Sequence, residues 1–324
     1  MRRILLSVVS VLVCIYLQGQ NIIRVNNIRY QIQDDYAQIT RQDPDLSGDI
    51  VIPDKIEYNG KEYTVNSMSY PSNTASYGGM SSISAEGATF QGCKITSIKL
   101  PATITEISSA AFIDCTDLVS VTLPETLTSI GWGSFAYCSK LETINIPNDV
   151  TNISTWAFGG CGSLKSISLP SGITSLPNAV FKNCGFEEFV IPENIASMGE
   201  ACLNMSYLKS VKSYIRDITR VNYRETCFGN VSDMNLLVPI GCKDIYQEYY
   251  PWRSFKSITE FMDSKKGDVN GDSLVNNNDI DEIVNYIMCN PSDRFLFTNA
   301  DANGDNSVNV VDIVKIVNII KEKK

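Results

Sequence analysis

A mainly β solenoid followed by a small α-helical module is the fold class that three features of this 324-residue chain predict. The first is a gapless 23-residue repeat: "ITSIKLPATITEISSAAFIDCTD" (95–117), "LVSVTLPETLTSIGWGSFAYCSK" (118–140) and "LETINIPNDVTNISTWAFGGCGS" (141–163). The second is a continuation in two 22-residue units, 164–185 and 186–207, that keep Pro101, Pro124, Pro147, Pro170 and Pro192 in phase. The third is a pair of similar Asp- and Asn-rich stretches near the C-terminus, "GDVNGDSLVNNNDI" and "ADANGDNSVNVVDI".

The chain opens on Arg2 and Arg3, an apolar run from Ile4 to Leu17, and then small and polar residues. This pattern predicts a signal peptide over 1–20, cleaved near Gly19 or Gln20, because the run is shorter than the roughly 20 apolar residues of a membrane span. No membrane span is expected after cleavage. Val13 is bulky where a small residue would precede a lipid-modified Cys14. Residues 21–94 carry alternating stretches, "IRYQIQ", "GDIVIP" and "IEYNGKEYTV", that read as N-terminal cap strands, with "NG" as a hairpin turn. A polar stretch at 69–87 reads as a long loop.

Within each repeat an alternating segment such as "LVSVTLP" predicts a short strand ended by proline, and the strands are expected to stack into one long sheet. Behind it Ile104, Leu127, Val150, Ile173 and Ile195 form one apolar column, and Ile107, Ile130, Ile153, Leu176 and Met198 another. Phe112, Phe135, Phe158 and Phe181 form a third, closed by Leu203. One unit cannot bury these side chains; stacked neighbours can, which is the logic of a leucine-rich solenoid. Cys115, Cys138, Cys161 and Cys184 follow each Phe by three residues and read as buried thiols, with rung-to-rung disulfides as the alternative. Removing Cys14 leaves nine cysteines, too few by one for complete pairing. Residues 209–235 break the period.

These repeats resemble BspA-like leucine-rich repeats of bacterial surface proteins, most closely over 95–207. Residues 236–261, "LLVPIGCKDIYQEYYPWRSFKSITEF", resemble that family's closing unit, which puts repeats and cap at 95–262. The outward strand positions Ser97 and Lys99, Ser120 and Thr122, Thr143 and Asn145, Ser166 and Ser168, Glu188 and Val190 form a mostly neutral face, either solvated or a recognition surface for an unknown protein or glycan ligand. Trp132 and Trp156, one offset apart in neighbouring turns, read as packing residues or as a place for sugars to stack.

At residue 263 the composition shifts to Lys, Asp, Asn and Gly, which marks a linker into a second module over 263–324. Calcium takes six to eight oxygen ligands, and a twelve-residue loop offers them at positions 1, 3, 5, 7, 9 and 12. The first loop supplies Asp268, Asn270, Asp272, the Leu274 carbonyl, Asn276 and Asp279. The second supplies Asp301, Asn303, Asp305, the Ser307 carbonyl, Asn309 and Asp312. Two calcium ions are expected, the first held more weakly, because position 6 favours a positive φ that Ser273 resists and Asn306 tolerates. An apolar helical pattern follows each loop, with no helix expected before it. The pair, about 33 residues apart, resembles a type I dockerin module. That resemblance implies a cohesin-like partner and interface residues Asn277, Asn278, Val310 and Val311, the valines being apolar at exposed places or else packed on the first helix. Residues 267–324 hold ten Asp and Glu against five Lys and Arg, so their folding is expected to depend on metal.

The net charge of −9 argues against a nucleic-acid partner. Histidine is absent, which removes the commonest general base and most hydrolase constellations. The expected protein is secreted or cell-surface, not an enzyme, with no catalytic residues. It binds a ligand through the solenoid and a partner through the dockerin-like module. The alternative is a non-catalytic component of an extracellular polysaccharide-degrading complex.

Overall fold

Paired asparagines and an Asn-Gly set the first architecture. Asn26 and Asn27 (φ 49° and 66°) and Asn59 and Gly60 (φ 51° and 74°) adopt the left-handed backbone that two-residue hairpins require. A computed structural model describes residues 21–69, 88–261, 266–270, 275–290, 292, 295–305 and 307–322. The signal segment 1–20 and most of the polar stretch 69–87 lie outside the described residues. The chain divides into two compact units: Met1–Glu187 with Ala196–Leu208 and Asn222–Gly229, and Glu188–Ile195 with Lys209–Val221 and Asn230–Lys324.

The first unit begins with a five-stranded sheet in the order Ile22–Val25, Ile28–Ile32, Tyr36–Ile39, Lys61–Met68, Lys55–Tyr58. The "GDIVIP" stretch does not join it. Its strand Ser47–Val51 instead pairs in parallel with Lys94–Lys99, which continues to Ser120–Thr122 and Thr143–Ile144. The column at Ile107, Ile130 and Ile153 is not merely apolar backing. It lies in a second parallel ladder, Glu106–Ile107, Ser129–Ile130 and Asn152–Ile153, in which each residue faces its counterpart 23 positions on. Ser175–Leu176, Ser197–Met198 and Asn222–Tyr223 form a like ladder.

The single long sheet expected from the opening segments is therefore replaced by several ladders. Residues 164–170 form no strand, and there Ile167 and Leu169 are only half-buried, whereas Val121, Leu123, Ile144 and Ile146 at the same offsets are buried. Less apolar cover on that segment leaves less to hold its backbone in a ladder.

Inside the first unit the phenylalanines stack ring on ring: Phe90, Phe112, Phe135, Phe158 and Phe181, with centroids 5.1, 5.2, 5.5 and 5.7 Å apart and nearly parallel planes. Phe90 opens the column one turn before the repeats read from the sequence. The cysteines have a more specific place than gap-filling. Each Sγ donates to the carbonyl of the phenylalanine one turn back: Cys115 to Phe90 at 2.9 Å, Cys138 to Phe112 and Cys161 to Phe135 at 3.1 Å, Cys184 to Phe158 at 3.2 Å. All four are buried free thiols, and burial raises their pKa.

The second unit carries the parallel sheet Glu188–Ile191, Ser210–Ser213, Asn235–Pro239, Ser257–Phe261. The repeat thus continues through 209–235, where the sequence period fails. One turn there is longer, and it holds a 3-10 helix at Ile218–Arg220 capped by Asp217, whose Oδ1 accepts from Thr219 N. The closing cap is helix α1 (Lys243–Glu248) with buried Tyr246 and Trp252 packed edge to face. Tyr246 Oη donates to the Ile215 carbonyl at 2.7 Å.

Three further helices lie towards the C-terminus: α2 (Asn277–Ile287), α3 (Phe297–Ala300) and α4 (Val310–Glu322). The short α3 precedes the second loop, where no helix was expected. Val269, Val275, Ile283, Ala300 and Ile316 form their core. Among the described residues no helix is long and apolar enough to cross a membrane.

Burial raises the Cys93, Cys161 and Cys227 thiols from near 9 to about 12. A pKa raised in the folded state means that the unfolded chain loses protons first, so this stability is complete below about pH 9 and is lost as pH rises toward 12. Urea midpoints should be flat from neutrality to about pH 9 and fall between there and pH 12, and a thiol reagent should label the column only after unfolding. A midpoint that stays level to the top of this range contradicts the assignment.

Candidate metal centre and partner face

Asn276, position 9 of the first loop, is the N-cap of α2. Its side chain accepts from Asn278 N at 2.7 Å, while Asp279 Oδ2 accepts from Asn276 N at 2.8 Å, a reciprocal capping box. The other oxygen of Asp279 accepts from Val269 N at 2.7 Å and Asn270 N at 3.2 Å. The second loop repeats this. Val311 N donates to Asn309 Oδ1 at 2.8 Å, Asn309 N to Asp312 Oδ2 at 2.9 Å and Asn303 N to Asp312 Oδ1 at 3.1 Å. Position 12 therefore ties positions 3 and 9 of its own loop to the start of the helix. Aspartate suits that place because a capping side chain at N3 must reach back only to the cap nitrogen.

The rest of the second loop is folded by Asx-type bonds. Asp301 Oδ1 accepts from Gly304 N and Asp305 N, Asn303 Oδ1 from Asp305 N, and Asp305 Oδ1 from Ser307 N, all between 2.8 and 3.0 Å. The left-handed residue here is Gly304 at position 4, with φ 79°. Ser273, where strain was expected, and Asn306 lie outside the described residues, as do Asp272 and Leu274.

The two loops also hold each other. Lys266 Nζ donates to the carbonyl of Asp301, and Asn299 Nδ2 donates to the carbonyl of Asp268 at 2.8 Å. Lys266 and Asn299 stand at the same offset before their loops, so the two contacts are one contact made in both directions. Sequence reading missed both residues; their matching distance from Asp268 and Asp301 was the available signal.

Asp268, Asp279 and Asp312 are fully buried and Asp301 is 6% exposed. A buried carboxylate is costly unless a cation or hydrogen bonds compensate it, so positions 1 and 12 of both loops fit a divalent ion. The oxygen-only donor set suits calcium over softer metals. Among the described residues no group of three acidic side chains is arranged to hold an ion by itself. The expected donor list mixes carboxylates with Asn oxygens and a backbone carbonyl.

Val310 and Val311 are 63% and 58% exposed, and Val314, one turn on, is 56% exposed. Exposure on that scale argues against packing on α2. Asn277 and Asn278 are exposed at the matching start of α2. Tyr286 and Ile287 of α2 and Val308, Asn309 and Val310 line the two sides of a shallow depression.

Residues 83–209 match the BspA type Leucine rich repeat region in six copies, and residues 266–321 match the Dockerin type I domain. Both are families of non-catalytic modules; type I dockerins bind calcium and dock onto cohesin partners. Among solved structures, a leucine rich cell surface protein from Faecalibacterium prausnitzii is 15% identical, with 74% of this chain and 94% of that one covered and a TM-score of 0.42. A leucine-rich repeat protein from Bacteroides capillosus is 24% identical over 46% of this chain and 97% of that one, at a TM-score of 0.36. The leucine rich repeat protein of T. pallidum is 19% identical over 73% and 80%, at 0.38. No curated protein matches the chain.

Exposure sets an unequal response to mutation. Val310→Lys with Val311→Lys should change stability by no more than about 0.5 kcal/mol each, whereas Ile316→Ala in the core should cost about 2–5 kcal/mol. Denaturant melts followed by helical signal compare them, and a double-lysine variant as unstable as Ile316→Ala would place the valines in the core.

Proposed function

We propose that this chain, a BspA-type leucine-rich repeat region at 83–209 followed by a type I dockerin domain at 266–321, is a secreted or cell-surface binding protein without catalytic activity. In this reading residues 1–20 direct export, 21–94 cap the solenoid, 95–262 carry the repeats and their closing cap, and 263–324 attach the protein to a cohesin-like partner. The solenoid recognises a separate ligand.

The observation that carries the attachment role is the repeated pair of hydrogen bonds on buried Asp279 and Asp312. The matching hydrogen bonds on the buried position-12 carboxylates of both loops support one calcium ion each. Asp268, Asn270, Asp272, the Leu274 carbonyl, Asn276 and Asp279 would hold the first; Asp301, Asn303, Asp305, the Ser307 carbonyl, Asn309 and Asp312 would hold the second. The ions supply positive charge that offsets the carboxylates. Val310 and Val311, with Asn277 and Asn278, then present the partner-binding surface at the starts of α4 and α2.

Calorimetry on the full chain should find about two calcium ions bound. Asp279→Ala and Asp312→Ala should each weaken one site by roughly 10-fold or more, and together they should abolish calcium-dependent capture of a protein from cell-surface extract. Val310→Lys with Val311→Lys should lose capture while keeping calcium. Capture unchanged by chelator would end this reading.

A further inference from the structure

Two columns of the solenoid run through left-handed backbone. Two residues after each phenylalanine stand Gly92, Asp114, Tyr137, Gly160 and Asn183, all at positive φ. Two residues before Phe112, Phe135, Phe158, Phe181 and Leu203 stand Ala110, Gly133, Trp156, Ala179 and Ala201, again all at positive φ. Small residues, Asp or Asn fill every one of these places except two. Tyr137 (φ 63°) and Trp156 (φ 62°) put bulky rings where the backbone resists them, and strain of that kind persists where a site uses it.

The two rings are neighbours, with centroids 6.0 Å apart and planes tilted by 36°. Gly159 and Gly160 run against them. A Cβ on Gly159 would lie 2.2 Å from Trp156 Cε3, and one on Gly160 2.7 Å from Tyr137 Cδ1, so both rings rest on bare backbone that admits no side chain. Tyr137 is 40% exposed and Trp156 is half-buried. Lys182 Nζ sits 5.5 Å from the centre of the Trp156 ring, and Asn183 is exposed one turn beyond Gly160 in the same column. Trp132, also half-buried, differs in its contacts: it packs against the buried cluster of Ala88, Ala110, Ile113 and Ala136.

We propose that Tyr137 and Trp156 form a stacking platform for a pyranose ring of a polysaccharide chain, with Asn183 donating hydrogen bonds from the next turn and Lys182, whose Nζ lies over the Trp156 ring, donating to a hydroxyl of the bound sugar. The electron-rich face of an aromatic ring favours the C–H face of a sugar, and a shallow pair of tilted rings suits a flat ligand. The column on either side of Tyr137 is polar where it carries a side chain, since Asp114 and Asn183 are exposed, which matches hydroxyl groups better than an apolar protein patch. This names the ligand class of the solenoid and rests on the reading of the solenoid as a binding module.

The test runs the full chain through native gels containing hydroxyethylcellulose, xylan, galactomannan or polygalacturonate. At least one should retard it, and the same polysaccharide should shield a tryptophan from acrylamide quenching. Trp156→Ala and Tyr137→Gly copy residues that other turns use in the same columns, so they should melt no lower than the parent yet lose at least tenfold in retention. Tyr137→Phe and Trp156→Tyr keep a ring and should keep retention. No retardation by any of the four, no shielding in the parent, or ring-free variants retained as strongly as the parent would each overturn the platform. If calcium-dependent capture persists through such a failure, the attachment role stands and only the sugar site is lost.

Discussion

The contact on which the rest of the solenoid depends is the stack of Phe90, Phe112, Phe135, Phe158 and Phe181, in which each ring is buried by the turns on either side of it. A turn of about 23 residues has no second layer of its own, so no turn reaches a buried core until its neighbours are in place. The thiol three residues later ties the same neighbours together, because its S–H adds a second hydrogen bond, from the next turn, to a phenylalanine carbonyl that already accepts from the backbone N–H of the cysteine in its own turn. Packing and hydrogen bonding thus share one period. An odd number of cysteines is no obstacle when each acts as a single donor.

That shared period also fixes where the backbone must bend. A turn that brings its phenylalanine inward and its next strand back into register passes through left-handed backbone on both sides of the ring. The chain mostly spends alanine, glycine, aspartate or asparagine there. Ring-bearing residues at two adjacent such places stand out against a scaffold that states what each position ordinarily holds. Repetition serves as its own control, since a departure from it is measured against neighbouring turns in the same molecule.

The C-terminal module obeys a different economy. With few residues and a small apolar core around Ile283 and Ile316, it relies on reciprocity: the residue before each loop grips the first carbonyl of the other loop. Buried carboxylates at both ends of each loop leave its energetics open to a cation, because the charge on Asp279 and Asp312 is balanced chiefly by backbone N–H groups. The second loop and the start of α4, where the exposed valines stand, are thus tied by the same hydrogen bonds to Asn309 and Asp312.

The sequence by itself determined the period, the three apolar columns, the cysteine column and the twelve-residue donor pattern of both loops, because each is written in side chains at constant spacing. Helices after the loops were legible for the same reason. Tertiary structure alone decided the rest. The second ladder is built from two-residue strands too short to show an alternation, and the longer turn at 209–235 keeps its pairing although its spacing fails. The absence of a strand at 164–170 turns on how much of Ile167 and Leu169 is covered. The exchange between Lys266 and Asn299, like the meeting of Tyr137 with Trp156 over two glycines, joins residues whose spacing carries no repeat of its own. Such contacts exist only once stacked backbones bring distant positions within a few ångströms.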